Sequence, residues 1–65
     1  MYATIKVSMD NAAFEEPGAE LELAGILRDL AQRVEAGDRE RSLLDSNGNR
    51  VGSFEITGQP RRFAR

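Results

Sequence analysis

The chain is predicted to fold as a small α+β domain ordered strand, helix, strand, strand, with one helix packed on one face of a three-stranded, antiparallel-rich sheet. Three observations carry this prediction. Apolar and polar residues alternate over residues 2–9, the period of a half-buried strand. Leu23, Ile26, Leu27, Leu30, Ala31 and Val34 recur at i, i+3, i+4 and i+7, the stripe of an amphipathic helix. Asn47-Gly48 separates two short apolar runs, a strong short-range hairpin signal.

In the first strand Ala3, Ile5, Val7 and Met9 form an apolar face, and Tyr2, Thr4, Lys6 and Ser8 a polar one. Residues 10–18 connect it to the helix. Asp10 or Asn11 is placed to cap a short turn or 3₁₀ piece, Phe14 is the natural packing anchor, and Pro17-Gly18 punctuates the chain. The helix is expected over residues 19–36. Glu20 and Glu22 lie in its first turn, where the dipole favours acids, and Gly37 follows its last apolar residue in the position of a left-handed cap. Asp29 and Arg33 stand four apart in the favourable order.

Residues 41–57 read as the hairpin. Asp45 is able to bond the turn backbone, and positive φ is expected at both Asn47 and Gly48. Gly52, inside the last strand, implies a bulge or a close approach by the helix. Phe54 and Ile56 share a face and should meet the helix stripe. The last strand must pair antiparallel with its hairpin partner. If the helix runs back across the sheet, the last strand also runs antiparallel to the first, so the strand order is 1-3-2. Residues 1–57 form the single compact domain, and 58–65 a basic, flexible tail.

The 65 residues include no Cys, His or Trp. Zinc and haem ligation, thiol chemistry and imidazole acid–base catalysis are thereby removed. Hydrophobic content of 40% and charged content of 31% suit a soluble globular domain, and no apolar run is long enough to span a bilayer. Lack of Cys fits a cytoplasmic location, and no membrane association is expected.

Candidate chemistry is sparse. Asp45-x-Asn47-x-Asn49 opens like a calcium loop, but Arg50 stands where that loop needs Gly and Ile56 where it needs Glu. Ser8, Ser42, Ser46 and Ser53 have no His partner, and Lys6 shares the polar face of the first strand with Ser8. Neighbouring exposed carboxylates have no means of separating their pKa values. The chain is therefore expected not to be an enzyme and to use no cofactor or metal.

The formal charge of −2 conceals a gradient. Residues 1–22 carry five acids against Lys6 alone, whereas residues 46–65 carry four Arg against Glu55 alone. Arg61, Arg62 and Arg65 lie in the tail, so the part through Thr57 carries −5. Asp10, Glu15, Glu16, Glu20, Glu22 and Asp29 are the candidate acidic surface for a basic partner. The ordinary alternative is a solvated surface with acids placed for the helix dipole. Direct nucleic-acid binding by so acidic a body is disfavoured. Tyr2 and Leu21 fall off the apolar faces and are candidate exposed anchors, although scattered exposed apolar residues are normal. Gly25, on the polar side of the helix, either is merely tolerated or makes room for a partner.

Taken together, Ser8-Met9-Asp10-Asn11-Ala12-Ala13-Phe14, the helix closing at Glu35-Ala36-Gly37-Asp38, and Asp45-x-Asn47-Gly48-Asn49-Arg50-Val51-Gly52-x-Phe54-Glu55 resemble small orphan proteins of phages, plasmids and integrated elements. In size and acidity the chain is similar to acidic anti-CRISPR proteins. The motifs concerned are structural and carry over no binding residue. The resemblance implies a non-enzymatic, protein-binding inhibitor that occupies the DNA-binding site of a CRISPR effector complex as a DNA mimic. A small structural or weakly homodimeric interaction protein, and a nucleic-acid accessory protein acting through its Arg tail, are the alternatives.

Overall fold

A computed structural model describes residues 1–58. The chain forms β1 (Tyr2–Val7), a 3₁₀ turn η1 (Ala12–Phe14), α1 (Ala19–Glu35), β2 (Glu40–Leu44) and β3 (Arg50–Thr57). The sheet order is β1-β3-β2, and both pairings are antiparallel. This is the predicted α+β architecture and strand order. The basic tail expected over 58–65 lies, beyond Gly58, outside the described residues.

Strand register assigns the two faces. Ala3, Ile5 and Val7 stand opposite Ile56, Phe54 and Gly52, and Arg41 and Leu43 stand opposite Phe54 and Gly52 on the other side. Because side chains alternate along a strand, these residues share the face beneath α1. Tyr2, Thr4 and Lys6 share the outer face with Ser53, Glu55, Glu40 and Ser42. The core gathers Phe14, Ala19, Ile26, Leu30, Leu43, Val51 and Phe54, with Val7, Ala13, Leu23 and Ile56 packed around it.

The β2–β3 register slips between Leu43 and Leu44, leaving Val51 as the extra residue of a bulge. Val51 neighbours Gly52 and by strict alternation would face outward; the bulge turns it into the core, where it is buried. Gly52 meets the second half of the expectation differently. A Cβ there would overlap the Lys6 carbonyl oxygen and crowd the Val7 Cα. The close approach is therefore by the backbone of β1, not by the helix.

The ends of α1 are closed by backbone alone. Gly18, at φ 126°, is the N-cap, and its carbonyl accepts the first helical bond from the Glu22 N–H. At the other end Gly37 has φ 109°. Its N–H donates to Val34 O and the Asp38 N–H donates to Arg33 O, the paired bonds of a Schellman cap. Asn11 occupies the cap position of η1 but makes no side-chain cap bond; its amide is used elsewhere.

Three expectations need correction. Positive φ at both turn positions does not occur, because Gly48 alone has it, at 84°. The Gly48 N–H donates to Asp45 O and the Asp45 N–H to Asn49 O, the pattern of a three-residue hairpin loop with Gly in the left-handed position. The helix stripe is also only partly covered. Ile26 and Leu30 are buried, but Leu27 and Val34 are about 40% and 39% exposed, and Ala31 is exposed. Likewise Ile5 of the first-strand apolar face is 48% exposed. The cause is lateral placement: α1 lies against η1 and β2, so its other flank and the Ala3 and Ile5 part of the inner face of β1 are left open, while Val7 still packs on the core.

Candidate acidic end and the groove beside the edge strand

The β2–β3 turn, the connection after β1 and the start of α1 meet at one end of the molecule. Asp45 joins them. Its Oδ1 accepts from the N–H groups of Asn49 at 2.8 Å and Asn47 at 2.9 Å, and its Oδ2 accepts from Asn11 Nδ2 at 3.1 Å. The residue is 6% exposed. The Asn49 N–H is the main cause of a carboxyl held below its ordinary range; burial opposes this, while the Asn11 amide and Asn47 N–H add to it. Asp45 is thus a fully used structural acid rather than a free anion. One residue on, the Ser46 N–H donates to Glu22 Oε2 at 2.7 Å, fastening the first turns of α1 to the same loop.

These ties show where the predicted acids lie. Asp10, Glu15, Glu16, Glu20 and Glu22 all belong to this end, whereas Asp29 sits about 10 Å further along α1 at the helical rise of about 1.5 Å per residue. Two positions on a helix turn a side chain by about 200°, so Glu20 and Glu22 leave α1 on opposite flanks. Glu22 and Asp29, seven apart, line one groove. Asp10 accepts from Ser8 Oγ at 3.2 Å, and Asp29 lies 4.0 Å from Arg33 Nε in an exposed pair. Glu15, Glu16 and Glu20 are exposed and, among the described residues, make no side-chain hydrogen bond or ion pair. Among the described residues, the cations of this end, Lys6 and Arg50, belong to the outer sheet face, where Arg50 Nε donates to Ser42 Oγ at 3.2 Å.

The groove containing Glu22 and Asp29 runs between α1 and β2 and has a volume of about 370 Å³. Leu21 and Leu44 contribute apolar surface at 77% and 53% exposure. Gly25 lies in its wall, and a Cβ built there meets nothing within 4 Å. Sequence reasoning singled out Glu22, Asp29, Leu21 and Gly25 separately, but it did not find the groove. The wall opposite α1 is the edge of β2, whose position depends on the long-range order of the strands. The Glu22–Ser46 bond was also missed, since no local pattern links residues 24 apart.

Among the described residues no group of His, Cys, Asp or Glu is arranged to hold a metal ion, and no helix is long and apolar enough to cross a membrane. Comparison with protein-family models, curated proteins and solved structures found no match.

Proposed function

We propose that the protein is a non-enzymatic inhibitor that binds a basic protein surface through its acidic end. One observation carries this reading: Glu15, Glu16 and Glu20 are exposed, close in sequence at one end of the fold, and without side-chain partners among the described residues. Free carboxylates gathered at one end steer association with a positive surface and suppress binding to phosphate. Glu22 and Asp10 add charge at the same end, and Asp29 extends the negative potential along α1. In its most concrete form the partner is the DNA-binding surface of a CRISPR effector complex in a bacterial cytoplasm, with the carboxylates standing in for phosphates. The resemblance in size and acidity to anti-CRISPR proteins supports that choice.

The test is an interference assay in bacteria carrying a CRISPR system, paired with competition between the purified protein and target DNA for the effector. Replacing Glu15, Glu16, Glu20 and Glu22 by Lys is expected to abolish both inhibition and competition. Full inhibition by that variant would exclude the DNA-mimic reading.

A second reading, a homodimeric interaction protein, is favoured by the uncovered apolar residues Ile5, Leu27 and Val34. Light scattering at two concentrations separates the two: a mass that doubles with concentration, and falls in an Ile5→Glu, Leu27→Glu variant, identifies the dimer.

A further inference from the structure

We propose that the groove between α1 and β2 is a strand-addition site, which takes an extended, basic segment of a partner protein as a fourth strand of the sheet. The proposal rests on the reading of a basic protein partner and adds how one segment of it is held. β2 pairs on one side only, with β3. The Ile56 N–H donates to the Arg39 carbonyl at 2.8 Å. Since antiparallel residues alternate between facing their partner strand and facing away, the main-chain groups of Glu40 and Ser42 are turned to the open edge. Such an edge is a template for another strand.

What distinguishes this edge from that of β1 is the wall beside it. α1 overhangs β2, and Gly25 leaves open space in the middle of the overhang. A side chain at Gly25 would occupy the volume that an incoming strand needs. Leu21 and Leu44 offer apolar surface; Arg41 also lines the groove but is already paired with Asp38 at 3.1 Å, so the carboxylates of Glu22 and Asp29 set its sign. Alternate residues of an added strand point to the same side. Those facing α1 would meet apolar surface near Leu21 and Gly25 and a carboxylate at Asp29. The complementary occupant is therefore an extended segment whose α1-facing residues, two apart in its sequence, are apolar, apolar and then Arg or Lys. At β1 the corresponding edge carries Lys6 and has no helix beside it, so it lacks both the wall and the charge.

The probe is an end-blocked octapeptide with Val at its positions 2 and 4, Arg at its position 6 and Thr elsewhere, titrated into the isotope-labelled full chain and followed by amide NMR shifts. Saturable binding is expected, with shifts confined to residues 21–29 and 40–46. Gly25→Trp, which places its ring in open space on the helix, should weaken binding by at least about tenfold. Ser42→Pro, which removes an outward N–H from an edge strand, should do the same; if it fails to fold, Gly25→Trp decides alone. The same peptide with Glu for Arg should not bind. Absence of saturable binding, equal binding to the Gly25→Trp variant, or shifts centred on β1 would overturn the proposal.

Two further outcomes also overturn it by giving the groove another occupant. If Arg61→Glu, Arg62→Glu and Arg65→Glu together move the Gly25 and Ser42 amides without peptide, the chain's own C-terminal segment fills it. If light scattering shows a dimer that Gly25→Trp disperses, a second copy does. Glu15→Lys, Glu16→Lys and Glu20→Lys together should leave peptide affinity within about twofold, because those residues lie outside the groove. The same triple change should remove effector inhibition, so the failure of one proposal is read separately from the failure of the other.

Discussion

Asn11 donates its side-chain amide to Asp45 Oδ2 at 3.1 Å, across 34 residues of sequence. The bond joins the connection after β1 to the hairpin turn that closes the other side of the sheet. Asp45 meanwhile uses Oδ1 on the Asn47 and Asn49 N–H groups, so one carboxylate organises both the turn and its docking. Nearby, Glu22 holds Ser46 from the helix side. The end of the molecule that carries the free acids is therefore fixed by two acids that are not free.

The Asp45 network predicts a pH dependence whose sign is determined. The folded-state pKa of Asp45 is lowered, chiefly by the Asn49 N–H. A carboxyl depressed on folding contributes stability that is fully present above its unfolded value near 3.9 and is lost as pH falls through the lower folded value. Acid unfolding of the natural chain should therefore steepen below about pH 4. Asp45→Ala should lower Tm at neutral pH more than Asp10→Ala and should flatten that acid limb. Thermal melts of both variants between neutral pH and pH 2 check this, and parallel pH profiles for Asp45→Ala and the natural chain would refute it.

Gly52 and Gly25 should respond oppositely to the same substitution. Gly52→Ala places a Cβ against the Lys6 carbonyl, so β1 and β3 must separate or twist. A loss of at least about 2 kcal/mol is expected, in the upper range of single substitutions. Gly25→Ala meets nothing and relieves the helix of its glycine, so a gain of about 0.5–1 kcal/mol is expected. Urea unfolding of the two variants reads both signs in one experiment.

The contrast between these glycines also marks how far local pattern reaches. The helix, its Gly37 cap and the 1-3-2 order were legible because each follows from short-range periodicity or from chain geometry. Gly52 could be flagged as unusual, but its partner could not be named, because the approaching backbone is 46 residues away at Lys6. Half of the helix stripe was over-assigned to the core for a similar reason. Periodicity reports that Leu27 and Val34 are apolar, not that α1 is displaced towards β2. For the candidate site, the identities of Glu22 and Asp29 were legible and their common groove was not. Asn11 was read as a local cap, whereas its amide goes to Asp45.

Phe14 carries more than its place in a three-residue turn suggests. It is 4% exposed and packs within the core on the α1 side, so it holds the acidic connection against the helix. Phe→Ala in a core costs about 3–5 kcal/mol, while a domain of this size has about 3–10 kcal/mol in total. Phe14→Ala should therefore leave a large fraction of the chain unfolded at 37 °C, visible as lost dispersion in a proton NMR spectrum. Phe14→Leu should retain the fold. A folded Phe14→Ala variant with Tm within a few degrees of the natural chain would show that the connection is not part of the core.

Glu22 has a structural bond and a place in the acidic surface, and two substitutions separate them. Glu22→Gln keeps an oxygen that the Ser46 N–H can reach but removes the charge. Glu22→Ala removes both. Loss of a hydrogen bond at an exposed position costs about 0.5–1.5 kcal/mol, so Glu22→Ala should lower Tm by roughly 2–12 °C at the 4–8 °C per kcal/mol of small domains. Glu22→Gln should stay close to the natural chain. If the charge is what a basic partner reads, Glu22→Gln and Glu22→Ala should weaken the interaction equally despite their different Tm. If affinity instead tracks Tm, the residue serves only to fasten α1 to the turn, and the partner reads the neighbouring Glu15, Glu16 and Glu20 without it.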